Sequence, residues 1–186
     1  MRVALTLAHE TADAATFFAN TWPMYVHEIA AFDTHFYSLD RLGRWHPDLV
    51  GDWTAAVTPA ANLREPRADG DPGQPFQRSL VILRDGESAG FVCLGAAPFK
   101  YMPDDVDFIL CELFLTHAHR GTGLAEAVVA MLLARFPGSW VLRAMHDNAR
   151  AIRFWRRTLP RMPVHALDES RDGTDVVWRF RTGRPA

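Results

Sequence analysis

The sequence predicts an α/β (α+β) fold with a mixed sheet, built as a single domain over residues 1–186. The chain has 186 residues, which is about the length of one domain. Apolar side chains make up 48% of it, as in globular proteins rather than disordered or fibrous ones. Its apolar patterns run in the order strand, helices, two hairpin strands, strand, helix, strand, helix, strand. That order indicates a mixed sheet with helices packed on it.

The first part of the chain predicts one strand, two helical pieces and a loop. Val3–Leu7 alternates as a strand does, and Thr11–Ala19 has its apolar residues at helical spacing. Because proline interrupts a helix, we expect Pro23 to end this piece and a second one to cover Met24–Phe32. Residues 57–77 contain four prolines and two glycines, which predicts a long exposed loop.

The second part of the chain gives clearer signals. Asp85-Gly86 is a two-residue hairpin turn between the predicted strands Ser79–Arg84 and Glu87–Gly95. Phe108–Leu115 is apolar nearly throughout, so we expect a strand buried on both faces. The remaining elements alternate helix and strand: Leu124–Phe136, Trp140–Met145, Ala149–Thr158 with Asn148 as its N-cap, and Asp175–Arg181.

Composition excludes several classes of protein. The net charge of −2 lacks the basic excess of a dedicated nucleic-acid binder. No apolar stretch approaches the roughly 18–20 residues of a membrane span, and His9, Glu10 and Asp13 cut the apolar start short of a secretory signal. Cys93 and Cys111 lie in apolar runs, so we expect buried free thiols. The sequence thus predicts a cytoplasmic protein that binds neither nucleic acid nor membrane.

The segment Leu113–Ala125 has the features of a phosphate-binding loop. It joins a predicted strand to a predicted helix through Gly121 and Gly123, so backbone N–H groups would be exposed at the positive end of a helix dipole. Arg120 adds a positive charge. The sequence has no Gly-Lys-Ser/Thr triplet of a Walker loop, and Glu126 occupies the last small position of a dinucleotide fingerprint.

The same loop resembles a known family signature. Arg120-Gly-Thr-Gly-Leu-Ala125 is similar to the R/Q-x-x-G-x-G/A signature of the GNAT superfamily of acyl-CoA-dependent N-acetyltransferases. The segment Asn148-Ala-Arg-Ala-Ile-Arg-Phe-Trp155, which follows the strand Trp140–Met145, resembles the family's N-x-x-A-x-x-F-Y/W helix. Leu80–Leu94 resembles its hairpin. The resemblance covers about residues 79–158.

The resemblance implies a fold, a cosubstrate and a reaction. The implied fold is a mixed, mostly antiparallel sheet flanked by helices, in which strands 108–115 and 140–145 splay apart to hold acetyl-CoA. The implied reaction moves an acetyl group from acetyl-CoA to a primary amine of a small molecule or peptide; the alternative is a non-catalytic acyl-CoA sensor of the same fold. The implied cofactor-binding residues are Phe114 and Leu115 for pantetheine, Arg120, Gly121, Thr122, Gly123, Leu124 and Ala125 for pyrophosphate, and also Asn148 and Trp155.

Glu112 is the candidate general base. An amine with a pKa near ~10 must lose a proton before it attacks a thioester, and Glu112 is the carboxylate within the buried strand. Burial without a cation would raise its pKa into the range of a useful base. By strand alternation it shares a face with Leu110 and Phe114, opposite Cys111 and Leu113. The alternative is a structural acid paired with an arginine.

The group that protonates the departing thiolate stays unassigned. Many relatives have tyrosine where this chain has Trp155, and an indole N–H has no useful acidity. Tyr101, a water molecule, or no acid at all remain open, since a thiol with a pKa near ~8.5 is a tolerable leaving group. His117 and His119 have metal-ligand spacing but no third ligand nearby, so we expect loop histidines and no metal.

Two further sets of residues have open interpretations. Arg150, Arg153 and Arg157 recur at helical spacing; they form either a solvated face or a contact to the cofactor's 3′-phosphate. Six aromatic residues fall where the family builds its acceptor pocket and would suit an apolar or cationic acceptor: Trp22, Tyr25, Phe36, Tyr37, Trp45 and Trp53. A homodimer is left open.

Overall fold

The computed structural model describes residues 1–33, 38–39, 41–43, 45–46, 76–97, 99 and 102–183. Its strands are β1 (Val3–Leu7), β2 (Ser38–Leu39), β3 (Trp45–His46), β4 (Phe76–Arg84), β5 (Glu87–Ala96), β6 (Phe108–Leu115), β7 (Ser139–Met145), β8 (Val164–Asp172) and β9 (Asp175–Thr182). Its α-helices are α1 (Ala12–Ile29), α2 (Leu124–Arg135) and α3 (Ala149–Thr158). Two short 3-10 turns cover His117–His119 and Leu159–Arg161.

Seven of these strands form one mixed sheet in the order β1-β4-β5-β6-β7-β9-β8. Every neighbouring pair is antiparallel except β6 and β7, which run parallel. The hairpin between β4 and β5 turns at Asp85 and Gly86, whose φ angles of 53° and 96° suit the tight turn that their sequence predicts. The predicted mixed, mostly antiparallel sheet is confirmed.

Helices cover both faces of this sheet. On one face, α1 packs Phe18, Trp22 and Val26 against buried side chains of the sheet such as Phe91 and Val141. On the other face, α2 and α3 pack against side chains that include Leu94, Leu110, Trp140, Leu142 and Trp178. The sheet therefore separates two apolar cores, and each helix owes its position to one of them.

Pro23 does not end the first helix, so that prediction is wrong. α1 is continuous from Ala12 to Ile29 with Pro23 inside it. A proline removes one backbone donor from the helix, but buried residues lie on both sides of it, with Phe18 and Trp22 before and Val26 after. Packing of this one apolar face against the sheet therefore outweighs the missing hydrogen bond.

Two other predictions need correction. β8 was not predicted, because its sequence is polar and most of its residues are exposed; it forms as an edge strand paired with β9. The predicted loop 57–77 overlaps the sheet at Phe76 and Gln77, which belong to β4, whereas residues 57–75 lie outside the described part of the chain.

The pairing of β6 with β7 is short. It joins Phe108, Ile109 and Leu110 to Trp140, Val141 and Leu142 and then stops. Beyond that point β6 continues its ladder with β5, and β7 continues its ladder with β9. The two parallel strands therefore splay apart, as the resemblance implies, and a gap opens in the middle of the sheet.

A β-bulge in β6 lies at the start of this gap. Cys93 pairs with Glu112 and Leu94 pairs with Leu110, so Cys111 is an additional residue on β6. Leu110 consequently packs in the core under α2 and α3, whereas Glu112 bonds to Tyr25 of α1 on the opposite face. The prediction that Leu110 and Glu112 share a face is wrong because the bulge interrupts the alternation.

The prediction that β6 is buried on both faces is also only partly right. Its first three and last two residues are buried, but the central Cys111, Glu112 and Leu113 keep accessible surface. These three residues lie beside the gap, where β7 no longer covers the strand. The exposed centre of an otherwise buried strand is therefore where a ligand can reach it.

We predict that Gly90→Ala destabilises the fold. Gly90 lies opposite Leu115, and a Cβ at Gly90 would clash with the Phe114 carbonyl oxygen and lie 2.9 Å from the Leu115 Cα. Because both are backbone atoms, β5 and β6 must move apart, and overpacking of this kind costs about 1–3 kcal/mol. Urea denaturation should show that loss for Gly90→Ala and a change under about 0.5 kcal/mol for Ser88→Ala on the same strand; equal stabilities would contradict the close approach.

Candidate active site

A cavity of about 1220 Å³ opens where β6 and β7 diverge. One side is formed by α1 and the segment after it, and the other by the start of α2 and one face of α3. Residues 110–115 of β6 and residues 143–145 of β7 form the base. This volume is slightly larger than the roughly 300–1,000 Å³ that ligand pockets in proteins usually enclose.

The loop between β6 and α2 has the backbone that its glycines predict. Gly121 and Gly123 have φ angles of 72° and 81°, the left-handed region that favours glycine. Gly123 is the N-cap of α2 and provides no side-chain cap. The first N–H groups of α2 therefore have no side chain from the N-cap to bond, and they lie at the positive end of the helix dipole, which suits an anion.

The residues predicted to hold pyrophosphate differ in whether their side chains line the cavity. Gly121, Gly123, Ala125 and the following Glu126 line the cavity. The Thr122 hydroxyl instead donates to the His119 carbonyl at 2.8 Å.

Leu124 has its side chain fully buried in the core. It and Thr122 can therefore serve the site through their backbone only. That any of these residues binds a phosphate stays a prediction.

Arg120 is engaged with α1. Its Nη2 donates to both carboxylate oxygens of Glu28, at 2.7 and 2.9 Å, and its Nε donates to the Leu115 carbonyl at 2.6 Å. Its guanidinium also lies 5.3 Å from the centre of the Phe114 ring, and only 13% of its side chain is exposed. Arg120 thus ties the loop to α1, and its predicted contact with pyrophosphate stays a prediction.

Glu112 lies at the base of the cavity on β6. One of its carboxylate oxygens, Oε2, accepts a hydrogen bond from the hydroxyl of Tyr25 on α1. Burial raises the pKa of Glu112 from the ordinary 4.5 to about 7, and the hydrogen bond from Tyr25 opposes that rise. Within the described part of the chain no arginine pairs with it, so the interpretation of Glu112 as a structural acid held by an arginine is not supported.

α3 provides the remaining wall. Asn148 caps this helix, because its Oδ1 accepts from the Ala151 N–H at 3.0 Å, and this confirms the predicted N-cap. Trp155 is buried, with its ring 4.7 Å from that of Phe154. Asn148, Ala151, Phe154 and Trp155 all line the cavity. Contacts of Asn148 and Trp155 with a cofactor stay predictions.

The aromatic residues divide into two groups. Tyr25, Trp22, Phe91 and Phe114 form a cluster on the α1 face, with ring centres 5.2–5.8 Å apart. The others in the predicted acceptor region have side chains outside the described residues, as does Tyr101: Phe36, Tyr37, Trp45 and Trp53.

Sequence reasoning missed Glu28 and Arg143, which both line the cavity. Glu28 follows Tyr25 by three residues, so helical spacing alone could have placed both on one face of α1. Arg143 is the charged residue of an otherwise apolar strand and bonds to Asp172 at 2.7 Å. A charged residue within such a strand is the sequence signal that its side chain lies outside the core.

The histidine pair has no metal-ligand arrangement around it. His117 lies 3.4 Å from the Glu28 carboxylate and 3.3 Å from Arg120. Over the residues that the structure describes, no three metal-ligating side chains come together.

No helix in that same part of the chain is both long and apolar enough to cross a membrane.

Comparison with protein families shows to which family the chain belongs. The model of the acetyltransferase (GNAT) family matches residues 43–159, more than half of the chain. The protein belongs to the GNAT family. Among curated proteins, none matches this GNAT chain at a significant level of similarity. Acetyl-CoA as the cosubstrate is consistent with the family.

Solved structures share the fold of this GNAT protein. An acetyltransferase from Thermus thermophilus is 15% identical, with 98% of this chain and 97% of that chain covered and a TM-score of 0.57. A GNAT family acetyltransferase of Listeria monocytogenes is 9% identical over 95% and 93% of the two chains, with a TM-score of 0.51. The PaiA N-acetyltransferase of Thermoplasma acidophilum, solved in complex with coenzyme A, is 12% identical over 97% and 99%, with a TM-score of 0.50.

We predict that Glu112→Gln stabilises the protein more at pH 8 than at pH 5. Because the folded-state pKa of Glu112 is about 7 and its ordinary value is 4.5, the folded state binds the proton more tightly. The contribution of Glu112 to stability is therefore fully present below about pH 4.5 and is lost as pH rises to about 7. Glutamine lacks this titration.

The free energy of unfolding of Glu112→Gln minus that of the wild type should rise by about 1–3 kcal/mol between the two pH values. Urea denaturation at pH 5 and pH 8 measures it. Glu126→Gln, on the rim of the same cavity, serves as the control. A pH-independent difference for Glu112→Gln would show that its carboxyl group titrates normally.

Proposed function

We propose that this GNAT protein is an N-acetyltransferase that moves an acetyl group from acetyl-CoA to a primary amine of a small molecule or peptide. The observation that carries the proposal is the position of Glu112. It is a carboxylate without an arginine partner among the described residues, with a pKa of about 7, at the base of a cavity between two splayed strands. A base with that pKa is half deprotonated near neutral pH and suits proton removal from an amine.

The surroundings of the cavity support coenzyme A as the carrier. The diphosphate would be held by the N–H groups that begin α2, beside Gly121 and Gly123. Pantetheine would lie along the part of β6 near Phe114 and Leu115, where β7 no longer pairs with the strand. A chain of amides bound there would complete the backbone hydrogen bonds that the splay leaves open.

Glu112 then has a defined role in the reaction. It takes a proton from the acceptor amine, directly or through water, and the freed nitrogen attacks the thioester carbon. The C–N bond forms, the C–S bond breaks, and the sulfur leaves as the thiolate of coenzyme A. The second proton that the nitrogen loses as it becomes an amide passes to that thiolate or to solvent. Trp155 has no acidic proton to give, so we assign no protein acid to the thiolate; the leaving group has a pKa near ~8.5.

Trp155 favours one second candidate function. Without a tyrosine at this position, a protein of this fold can bind an acyl-CoA as a sensor and transfer nothing. Both functions require that the protein binds an acyl-CoA, but only the enzyme transfers the acyl group.

We predict that coenzyme A stabilises the protein and that NAD and ATP do not. Saturation at ~100 times Kd adds about 2.7 kcal/mol, which a thermal unfolding experiment detects. Thiol release from acetyl-CoA should then appear with at least one amine of a panel comprising spermidine, an aminoglycoside, an amino acid and a lysine-bearing peptide. Silence across the panel with intact coenzyme A binding would favour the sensor, whereas stabilisation by NAD or ATP alone would contradict the family's ligand.

We propose that arginines of α3 recognise the 3′-phosphate of coenzyme A. Arg150, Arg153 and Arg157 line the cavity. Arg157 bonds to Glu126 at 2.9 Å, whereas Arg150 and Arg153 have no acidic partner among the described residues. Two unpaired guanidinium groups at the wall of a cavity suit a phosphate.

We predict that the wild type binds coenzyme A about 10-fold more tightly than dephospho-coenzyme A, since a hydrogen bond to a charged group contributes about 1.5–3 kcal/mol. The double variant Arg150→Ala/Arg153→Ala should bind the two ligands equally. Arg156→Ala, an exposed arginine of α3 paired with Glu169, is the matched control and should keep the preference. Isothermal titration calorimetry gives all six affinities; an unchanged preference in the double variant would leave these arginines as a solvated face.

A further inference from the structure

Building on the function proposed above, we propose that Tyr25 is a positioning residue for the general base. Its hydroxyl holds Oε2 of Glu112 and so leaves Oε1 as the oxygen that meets the acceptor amine. Within the described residues Oε1 accepts no hydrogen bond, and Glu112 and Tyr25 both line the cavity. A carboxylate anchored through one oxygen presents the other in a single orientation, which is what a base needs to meet a proton.

The ring of Tyr25 packs against aromatic rings from three elements. Its ring centre lies 5.6 Å from that of Trp22, 5.5 Å from Phe91 and 5.8 Å from Phe114. These neighbours come from α1 itself, β5 and β6, so the ring is held from three elements. Aromatic packing of this kind fixes the direction of the hydroxyl.

α1 is also fixed along its axis near Tyr25. Glu28, three residues further on, binds Arg120 through both carboxylate oxygens, and Arg120 in turn binds the Leu115 carbonyl at the end of β6. Residues three apart lie on one face of a helix. α1 is therefore attached to β6 at two points, once through Glu112 and once through Arg120, across the stretch that β7 leaves uncovered.

The titratable side chains that interact with Glu112 are neutral near pH 7. The titratable groups that interact with it are Tyr25 from α1, Cys93 from β5 and Cys111 from β6. The pKa values of all three are raised well above their ordinary range, so all three stay neutral near pH 7.

Charged and titratable side chains line the cavity from the elements around it: His27 and Glu28 of α1, His117 and Arg120 of the loop after β6, Glu126 of α2, Arg143 of β7, Arg150, Arg153 and Arg157 of α3, and Asp175 of β9. Glu28 and Arg120 neutralise each other, and Arg143 of β7 is paired with Asp172 and Asp175. Within the described structure, the interaction of Glu112 that lowers its pKa is the hydrogen bond from Tyr25.

The test replaces the hydroxyl and keeps the ring. In Tyr25→Phe, the pH profile of kcat/KM for acetyl transfer is measured with the fastest amine of the panel above. We expect the acidic limb to move to higher pH by about one unit, because the lost hydrogen bond favoured the charged carboxylate. We expect kcat at pH 8 to fall about 10-fold, with the Kd for coenzyme A unchanged.

Two controls separate positioning from packing. In a Glu112→Gln background, Tyr25→Phe should cause no further loss of kcat, because the group that it positions is absent. Met24→Ala changes the exposed neighbour of Tyr25 on α1 and should leave the profile where it is. Unfolding curves of all variants confirm that each is folded at the assay temperature.

A second readout does not depend on turnover. The carboxyl carbon of Glu112, followed by NMR in protein labelled at glutamate and assigned with Glu112→Gln, should titrate at higher pH in Tyr25→Phe than in the wild type. An unmoved midpoint, or an unmoved acidic limb with kcat within 2-fold, would overturn the positioning role. A wild type that binds no coenzyme A would instead overturn the proposed function, and the NMR titration would still decide the role of Tyr25.

Discussion

The separation of β6 from β7 after Leu110 is the constraint on which the site depends. Parallel pairing holds the two strands together for three residues, and each strand then follows its other neighbour. From that point one edge of β6 has no strand beside it in the middle of a sheet, where unpaired backbone groups are costly unless a ligand or water bonds them. The bulge at Cys111 acts at the same place, because it turns Glu112 from the α2 and α3 face towards α1. The opening of the cavity and the orientation of Glu112 therefore both arise at the same place in β6.

The electrostatics of the fold set Glu112 apart from carboxylates at the surface. Glu169 and Asp105 are bonded to Arg156 and Arg179, and the pKa of each is held below its ordinary value. Such groups are charged at all physiological pH values and stay with their partners. Glu112 meets a phenol instead of a guanidinium, so burial prevails and its pKa rises. These two surface acids are matched with arginines, whereas the acid at the base of the cavity keeps the ability to exchange a proton.

The parts of this protein that could be predicted are those with local signals. The α3 helix begins where Asn148 predicts, and the left-handed backbone in the loop before α2 follows from its two glycines, because capping and backbone conformation are decided within a few residues. Features that depend on partners distant in sequence could not be predicted. Pro23 lies inside a helix because the sheet packs against both sides of it, and the bulge depends on register with β5. Tyr25 and Glu112 are 87 residues apart, and nothing near either one indicates the other.

Arg120 has a structural role that its position in the signature does not predict. Its position in the signature predicts a contact with phosphate, which stays a prediction, and its guanidinium binds Glu28 and the Leu115 carbonyl. Two functions follow for one loop. Its backbone, which needs no side-chain charge, offers N–H groups to an anion, and its arginine joins α1 to the end of β6. Because α1 carries Tyr25, Arg120 also holds in place the helix whose tyrosine bonds to Glu112, the base that we propose. The loop before α2 and the helix α1 on the other side of the cavity are therefore connected by an ion pair.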